Sequence, residues 1–323
     1  MLKLYDVHGN GFASREGQSP CTEATVWIDL LNPTEEEDRF VEQQLGILIP
    51  TRAEMREIEA SSRFYEENGA QYMTTFILYN VAGQSPATTA LTFILAGNRL
   101  VTVRYAEPQS FPIFVQRVEK GEAVARTGAA VMIGLVATMI DRTADFIERL
   151  QDEVERLAGN VFEIKGGQQT RSRRLDALLK SIGKQGDLTS KAREASFSLD
   201  RLLTYFASAA RERNDEERVH QYIEVAQHDI ASLTEHARFL SDRIAFLLNA
   251  TLGMINIEQN GIIKIFSVAS VALMPPTLIA SIYGMNFKHM PELSWAWGYP
   301  VAILLMVLSG LVPFLYFRRR GWF

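Results

Sequence analysis

The sequence holds one cysteine, Cys21, among 323 residues. No internal disulfide can form, and a chain so poor in thiols suits a reducing compartment; Cys21 itself reads as a small filler residue. Histidine is nearly as scarce, and His8 is the only one in the first 125 residues. That stretch has no phosphate loop, no cysteine–histidine pair and no metal-spaced cluster, so an enzyme reading finds no residues to rest on. The opening Met1-Leu2-Lys3-Leu4-Tyr5-Asp6 lacks the apolar core of a cleaved secretion signal. Basic residues are in deficit, 33 Lys and Arg against 38 Asp and Glu. The deficit is local: residues 1–260 carry −9 and residues 261–323 carry +4. An acidic body of that size argues against nucleic acid as partner and is compatible with sensing cations.

What the chain does have is apolar length near its end. Ile262 to Tyr283 is 22 residues with one charge, Lys264, and Trp295 to Phe317 is 23 residues with none. Each matches the ~20 residues that cross ~30 Å of hydrocarbon, which predicts two membrane helices. Arg318-Arg319-Arg320 follows the second span and places that end in the cytoplasm. Two spans return the chain to its starting side. The N-terminal 260 residues are therefore expected in the cytoplasm, with only Phe287 to Ser294 or so beyond the membrane.

The first span carries a ladder: Asn260, Ile263, Ser267, Ser270, Met274, Thr277, Ser281 and Gly284. Alternating steps of three and four put these side chains on one stripe of a helix. The other side is apolar, with Ile262, Ile265, Phe266, Ala269, Leu273, Pro276 and Ile279. Small and hydroxyl residues suit either close helix packing or a wet pathway. Asn260 and Asn286 at the two ends are either caps or neutral oxygen ligands for a passing ion.

Upstream, the first 128 residues read as an α/β domain. Val26–Leu30 is strand-like, and Thr34 and Glu37 are spaced as a capping box opening a helix. Further strands are predicted at Gln71–Tyr79, Thr88–Leu95 and Leu100–Arg104, the last two joined by a Gly97-Asn98 hairpin. From Ala129 the apolar period becomes helical. Gly166-Gly167 breaks this helix, and a second, from about Arg171 to Ala210, would complete an antiparallel hairpin. A third helix starts near Asn214, a good N-cap with Glu217 three residues on. No stop intervenes before Tyr283, so one helix of close to 69 residues is expected, bent or loosened at Pro275-Pro276. The expected division is 1–128 α/β, 129–260 long helices and 261–323 membrane, with spans at about 262–283 and 295–317.

Tyr283-Gly284-Met285-Asn286, followed by Met290-Pro291-Glu292-Leu293, Trp295, Gly298-Tyr299-Pro300 and the basic end before Trp322, resembles the CorA family of magnesium channels. The resemblance is strongest over residues 250–323 and extends upstream to Val26–Leu30 and Glu57–Ser61. It implies an α+β cytoplasmic domain, a very long helix and two C-terminal spans, assembled as a funnel-shaped homopentamer in the bacterial inner membrane with both termini cytoplasmic. It also implies influx of magnesium, with cobalt and nickel as further ions, and no cofactor beyond transported and regulatory Mg2+. Partners would be further copies of the chain, divalent cations and membrane lipid.

On this reading Asn286 forms the entry filter, Gly284 lets the backbone turn and Met285 sets the ring geometry. Ser281, Thr277, Ser270 and Ser267 offer oxygens to a hydrated ion, Met274 and Ile263 make apolar collars, and Asn260 forms an inner polar ring. Phe266 sits at the edge of the stripe. Glu292 is the one acid outside, either concentrating cations at the mouth or a solvated loop residue. The family closes when cytoplasmic magnesium bridges acids between subunits, for which Glu224, Asp229 and Asp242 are the candidates. Two rivals stay open: a zinc transporter of the same superfamily, and a membrane-anchored helical scaffold or sensor.

Overall fold

The computed structural model describes all residues except 10, 58, 60, 61, 82, 84, 124, 163–167, 214, 287–289, 322 and 323, and all side chains except also 168–170, 292 and 293. The Gly166-Gly167 break, the Asn214 cap and the Glu292 side chain thus lie outside the described residues, as do Ile58, Ala60 and Ser61.

Seven strands form one sheet: β1 (Leu2–His8), β2 (Gly11–Glu16), β3 (Thr25–Leu31), β4 (Phe64–Glu67), β5 (Ala70–Tyr79), β6 (Ala87–Ala96) and β7 (Arg99–Arg104). Their spatial order is β2-β1-β3-β7-β6-β5-β4. All neighbours run antiparallel except β3 and β7, which pair in parallel from Trp27 opposite Leu100 to Leu31 opposite Arg104. The predicted hairpin is present, with Gly97 at φ +56 between Ala96 and Arg99. Short edge strands β2 and β4 and the N-terminal β1 were not predicted; their apolar alternation is brief or mixed with Lys, Asp and Glu.

Alternate side chains of each strand point to opposite faces, and both faces are covered. Ile28, Leu30, Ile94, Val101 and Val103 pack with Val41 of α1 (Glu35–Leu45) and with Met55 of a 3-10 turn at Glu54–Arg56. Trp27, Met73, Phe93 and Leu100 pack on the other side against α2 (Ser110–Glu119) and α3 (Gly128–Phe162). Helix α1 starts as predicted: Thr34 accepts from the Glu37 amide, and Glu37 accepts from the Thr34 amide. Helix α2 is unannounced in the sequence, since Pro108 and Pro112 mask its period.

Two further helices join the second core, α4 (Gln168–Glu212) and α5 (Glu217–Tyr283). Val131–Ile140 of α3 shares a core with Leu199–Ala210 of α4, whereas Phe146–Leu150 packs with Ala192 and Ala195. As α3 advances α4 runs back, which is the expected antiparallel pair. Val219, Ile223, Ala226 and Ile230 at the start of α5 are buried in the same core as Trp27. Helix α5 is one uninterrupted helix of 67 residues, beginning at Glu217, three residues after Asn214.

The chain falls into two compact units, Met1–Phe162 with Lys180–Leu248, and Glu163–Leu179 with Asn249–Phe323. The sheet, α1, α2, α3, the later part of α4 from Lys180 and the part of α5 up to Leu248 thus belong to one unit. The second contains the apolar part of α5 and α6 (Gly298–Arg319), the two helices among the described residues that are long and apolar enough to cross a membrane. Helix α6 begins three residues later than the predicted span.

The sheet buries an ion pair. Arg104 Nη2 lies 2.7 Å from Asp29 Oδ2, with Asp29 2% and Arg104 8% exposed. Thr102 Oγ1 donates to Asp29 Oδ1 at 2.7 Å, Trp27 Nε1 donates to Thr102 Oγ1 at 3.0 Å, and the guanidinium rests 4.3 Å above the Phe111 ring. Nearby, burial pushes the Tyr5 hydroxyl up to about 12, with the Asp29 charge adding to it. Burial likewise raises the Cys21 thiol, which favours its protonated form.

In the second unit, Pro275 and Pro276 have no amide hydrogen and cannot donate to the carbonyls of Val271 and Ala272. The helix nevertheless continues through them. Helix α6 meets this notch with a glycine: a β-carbon on Gly310 would lie 3.1 Å from the Ala272 oxygen and 3.5 Å from Pro276 Cγ. Any side chain at this position would require the two helices to give by a few tenths of an ångström.

Three outcomes follow from these contacts. Arg104→Met leaves the Asp29 carboxylate buried without its counter-ion and lowers unfolding stability by about 3–5 kcal/mol in urea denaturation. Gly310→Leu overpacks the notch and costs about 1–3 kcal/mol, read as a lower melting temperature in detergent, with Gly310→Ala intermediate. Asp38, on the first turn of α1, is raised from 3.8 to about 6, by burial first and then by Glu42 and Glu37. A carboxyl raised on folding costs stability when ionised, fully above its folded value and not at all below 3.8. Asp38→Asn therefore raises the melting temperature at pH 7.5, and the gain fades as pH falls from 6 to 4.

Candidate pore-lining surface

The eight ladder residues form one stripe along the second unit's part of α5, and all eight are exposed. Ile263 is 61% and Met274 69% exposed, large values for apolar residues. Helix α6 covers a different sector. Val268 is buried, and Ala272, Pro275, Pro276, Ile279 and Tyr283 are half-buried on the side that Gly310 touches.

The helix thus has three sectors, where the sequence predicted two. Of the apolar set expected to face lipid together, Ile262, Pro276 and Ile279 are half-covered. Ile265, Phe266, Ala269 and Leu273 stay uncovered, with Phe266 at 70% and Leu273 at 67%. The reason is the proline notch, which draws α6 to the Ala272–Pro276 side. The polar stripe is therefore not a docking face for the chain's own second span.

The hydroxyls on the stripe have a common geometry. Ser270 Oγ donates to the Phe266 carbonyl at 2.9 Å, Thr277 Oγ1 to Leu273 at 2.7 Å and Ser281 Oγ to Thr277 at 2.8 Å. Each spends its hydrogen on the helix four residues back and presents lone pairs outward. A row of neutral acceptors is the complement of water molecules bound to a cation, which point their hydrogens away from the ion.

At the end of α5 the Gly284 amide donates to Ala280 at 3.0 Å and the Met285 amide to Ile282 at 3.2 Å. The chain turns at Gly284, directly after α5 ends at Tyr283, without the left-handed conformation that only glycine adopts easily. A β-carbon there would lie 3.1 Å from the Ala280 oxygen, so close approach is what favours glycine. Met285 and Asn286 follow, both exposed.

Glu224, Asp229 and Asp242 are all exposed on the first unit's part of α5. They do not form one group. Continued upstream, the three–four spacing falls on Asp242, Glu235 and His228, and passes one position from Glu224 and Asp229. Among the described residues no three His, Cys, Asp or Glu side chains stand close enough to hold a metal. In the second unit Glu258 accepts from Ser172 at 3.1 Å. Sequence reasoning missed Gly310, because a lone glycine in a span carries no signal until its neighbour is known.

Comparison with known proteins agrees with this arrangement. The family model described as CorA-like Mg2+ transporter protein matches residues 22–319. The magnesium transport protein CorA of Yersinia pseudotuberculosis is 36% identical over 323 residues, covering 100% of both chains, and that of Escherichia coli is 36% identical over 324 residues, again with 100% coverage. Among solved structures, the complete CorA magnesium transporter of Methanocaldococcus jannaschii superposes with a TM-score of 0.78 at 17% identity, covering 100% of this chain and 99% of that one. The cytoplasmic domain of ZntB from Vibrio parahaemolyticus gives 0.59 at 6% identity, over 79% of this chain and 97% of its own; at such identities the likeness is one of fold. With a family match across nearly the whole length and full-length relatives above one-third identity, the chain belongs to the CorA family.

Proposed function

We propose that the chain is a magnesium channel, working as a ring of five identical copies that each turn the ladder of α5 toward a central conduit. The observation that carries this reading is the stripe itself: six neutral polar or small rungs interrupted by Ile263 and Met274, along a helix apolar enough to cross a membrane, and all eight uncovered by the chain's own second span. Lipid satisfies no polar group. Further copies and the water between them do.

Magnesium releases its inner waters reluctantly, so the conduit passes the ion with those waters attached. A ring of Asn286 carbonyl oxygens accepts their hydrogens at the entrance. Amides bind less tightly than carboxylates, and conduction needs release as well as entry. Ser281, Thr277, Ser270 and Ser267 continue the acceptor row, with their hydrogens turned into the helix where the back-bonds have been described. Met274 and Ile263 form apolar collars that stop flow by dewetting when narrow. Asn260 is the inner polar ring, Met285 and Gly284 shape the mouth, and Glu292 raises the local cation concentration outside. Cobalt and nickel, of similar charge and hydration, follow the same path.

The division of labour is a cytoplasmic body over residues 1–128, long helices over 129–260 and a pore over 261–323, in the inner membrane with both termini cytoplasmic. Closure by cytoplasmic magnesium is assigned to acids on α5, with Asp242 favoured over Glu224 and Asp229 because it alone continues the ladder. The zinc alternative has less behind it. Its structural likeness is at 6% identity, whereas the relatives at 36% are named for magnesium.

The test is metal uptake into proteoliposomes with a magnesium-sensitive dye. Wild type takes up magnesium, and Asn286→Ala loses uptake at least tenfold while keeping its five-copy mass in native mass spectrometry. Uptake of zinc without magnesium, full activity in Asn286→Ala, or a monomer or dimer as the functional species overturns the proposal.

A further inference from the structure

The first unit carries a crevice of about 640 Å³ that ion passage does not use. Its position is set by topology. Strands β3 and β7 are the parallel neighbours of the sheet, and Asn32, just after β3, and Tyr105 to Glu107, just after β7, line the crevice. From these two ends the chain leaves in opposite directions. The connection after β3 leads to α1 on one face, and that after β7 leads to α2 on the other. In α/β sheets, ligands bind outside the carboxyl ends of strands where connections diverge in this way.

The lining has a definite chemistry. Arg52 and Arg56 are exposed at the crevice, and neither side chain makes an ion pair or hydrogen bond with another described residue. The Arg52 guanidinium stands 5.1 Å over the Tyr105 ring. Tyr105 and Tyr79 are half-buried and Thr89 supplies a hydroxyl. One carboxylate, Glu107, is present. Two unmatched cations against one acid is unusual in a body that carries −9 overall. Guanidinium groups bind phosphate through paired hydrogen bonds and stack on flat rings. Aromatic faces receive a planar ring. The volume falls within the range of about 300–1,000 Å³ typical of small-molecule sites.

We propose that this crevice binds a nucleoside phosphate, with Arg52 and Arg56 on the phosphates and the base against Tyr105 and Tyr79. Glu107 at the rim is placed to accept from the sugar hydroxyls or from an exocyclic amine, and it disfavours a bare highly charged anion. The site is separate from the ladder, and its binding is measured without ion flux, so it stands or falls independently of the transport reading.

The test is isothermal titration of the full-length protein in detergent with AMP, ADP and ATP at a fixed free magnesium concentration, alongside pyrophosphate and adenosine. The expected result is saturable binding of at least one nucleotide at submillimolar concentration, with pyrophosphate and adenosine at least tenfold weaker. The Arg52→Ala/Arg56→Ala double variant should bind that nucleotide at least tenfold more weakly with an unchanged melting temperature, since both side chains are exposed. Tyr105→Leu should weaken nucleotide and spare pyrophosphate. Absence of saturable nucleotide binding at millimolar concentration, unchanged affinity in the double variant, or pyrophosphate binding wild type as tightly as the nucleotides overturns the proposal.

Discussion

A helix that crosses hydrocarbon must find a partner for every polar group it carries, and α5 carries a full stripe of them. The hydroxyl hydrogens of Ser270, Thr277 and Ser281 are turned inward to carbonyls one turn back. Their oxygens and the terminal amides remain. The second span does not supply what is missing, because it is keyed elsewhere by Gly310 against the Ala272 oxygen that Pro276 leaves free. That one close approach sets which sector of α5 is covered and so which is left bare.

The same helix is rooted at its other end. Its first turns bury Val219, Ile223, Ala226 and Ile230 in the core shared with Trp27 and Phe93. The start of α5 is thus part of the sheet's own packing, and a displacement of that helix repacks a common core. Interiors at this density do not deform continuously, which suits a helix that must hold one of a few positions. The buried Asp29–Arg104 pair ties the parallel strands β3 and β7 together at their carboxyl ends. It also fixes the edge of the crevice, since Tyr105 follows Arg104 directly.

Most of the architecture was legible in the residues. The strands at 26–30, 71–79, 88–95 and 100–104, the Thr34–Glu37 box, the antiparallel helices and the long helix to Tyr283 all appear where the patterns placed them, within a few residues. Each rests on a local rule with a strong signal. What escaped had weak local signals: β1, β2 and β4 are short or charged, and α2 is interrupted by prolines. The ladder was legible as a stripe, but the two-sided picture of its helix was not correct, because the position of α6 depends on an oxygen freed by a proline and a glycine 34 residues away in the chain.

By itself the sequence determined which segments are apolar enough to span a bilayer, which residues share a helical stripe, and which family motif ends the first span. Periodicity and composition are properties of neighbours along the chain. Only the tertiary structure decided that the stripe is left bare, that the start of α5 is locked into the sheet's core, and that Arg52, Arg56 and Tyr105 meet at one crevice. Those are meetings of distant segments, and the free energy that selects them comes from close packing and burial, which no local pattern encodes.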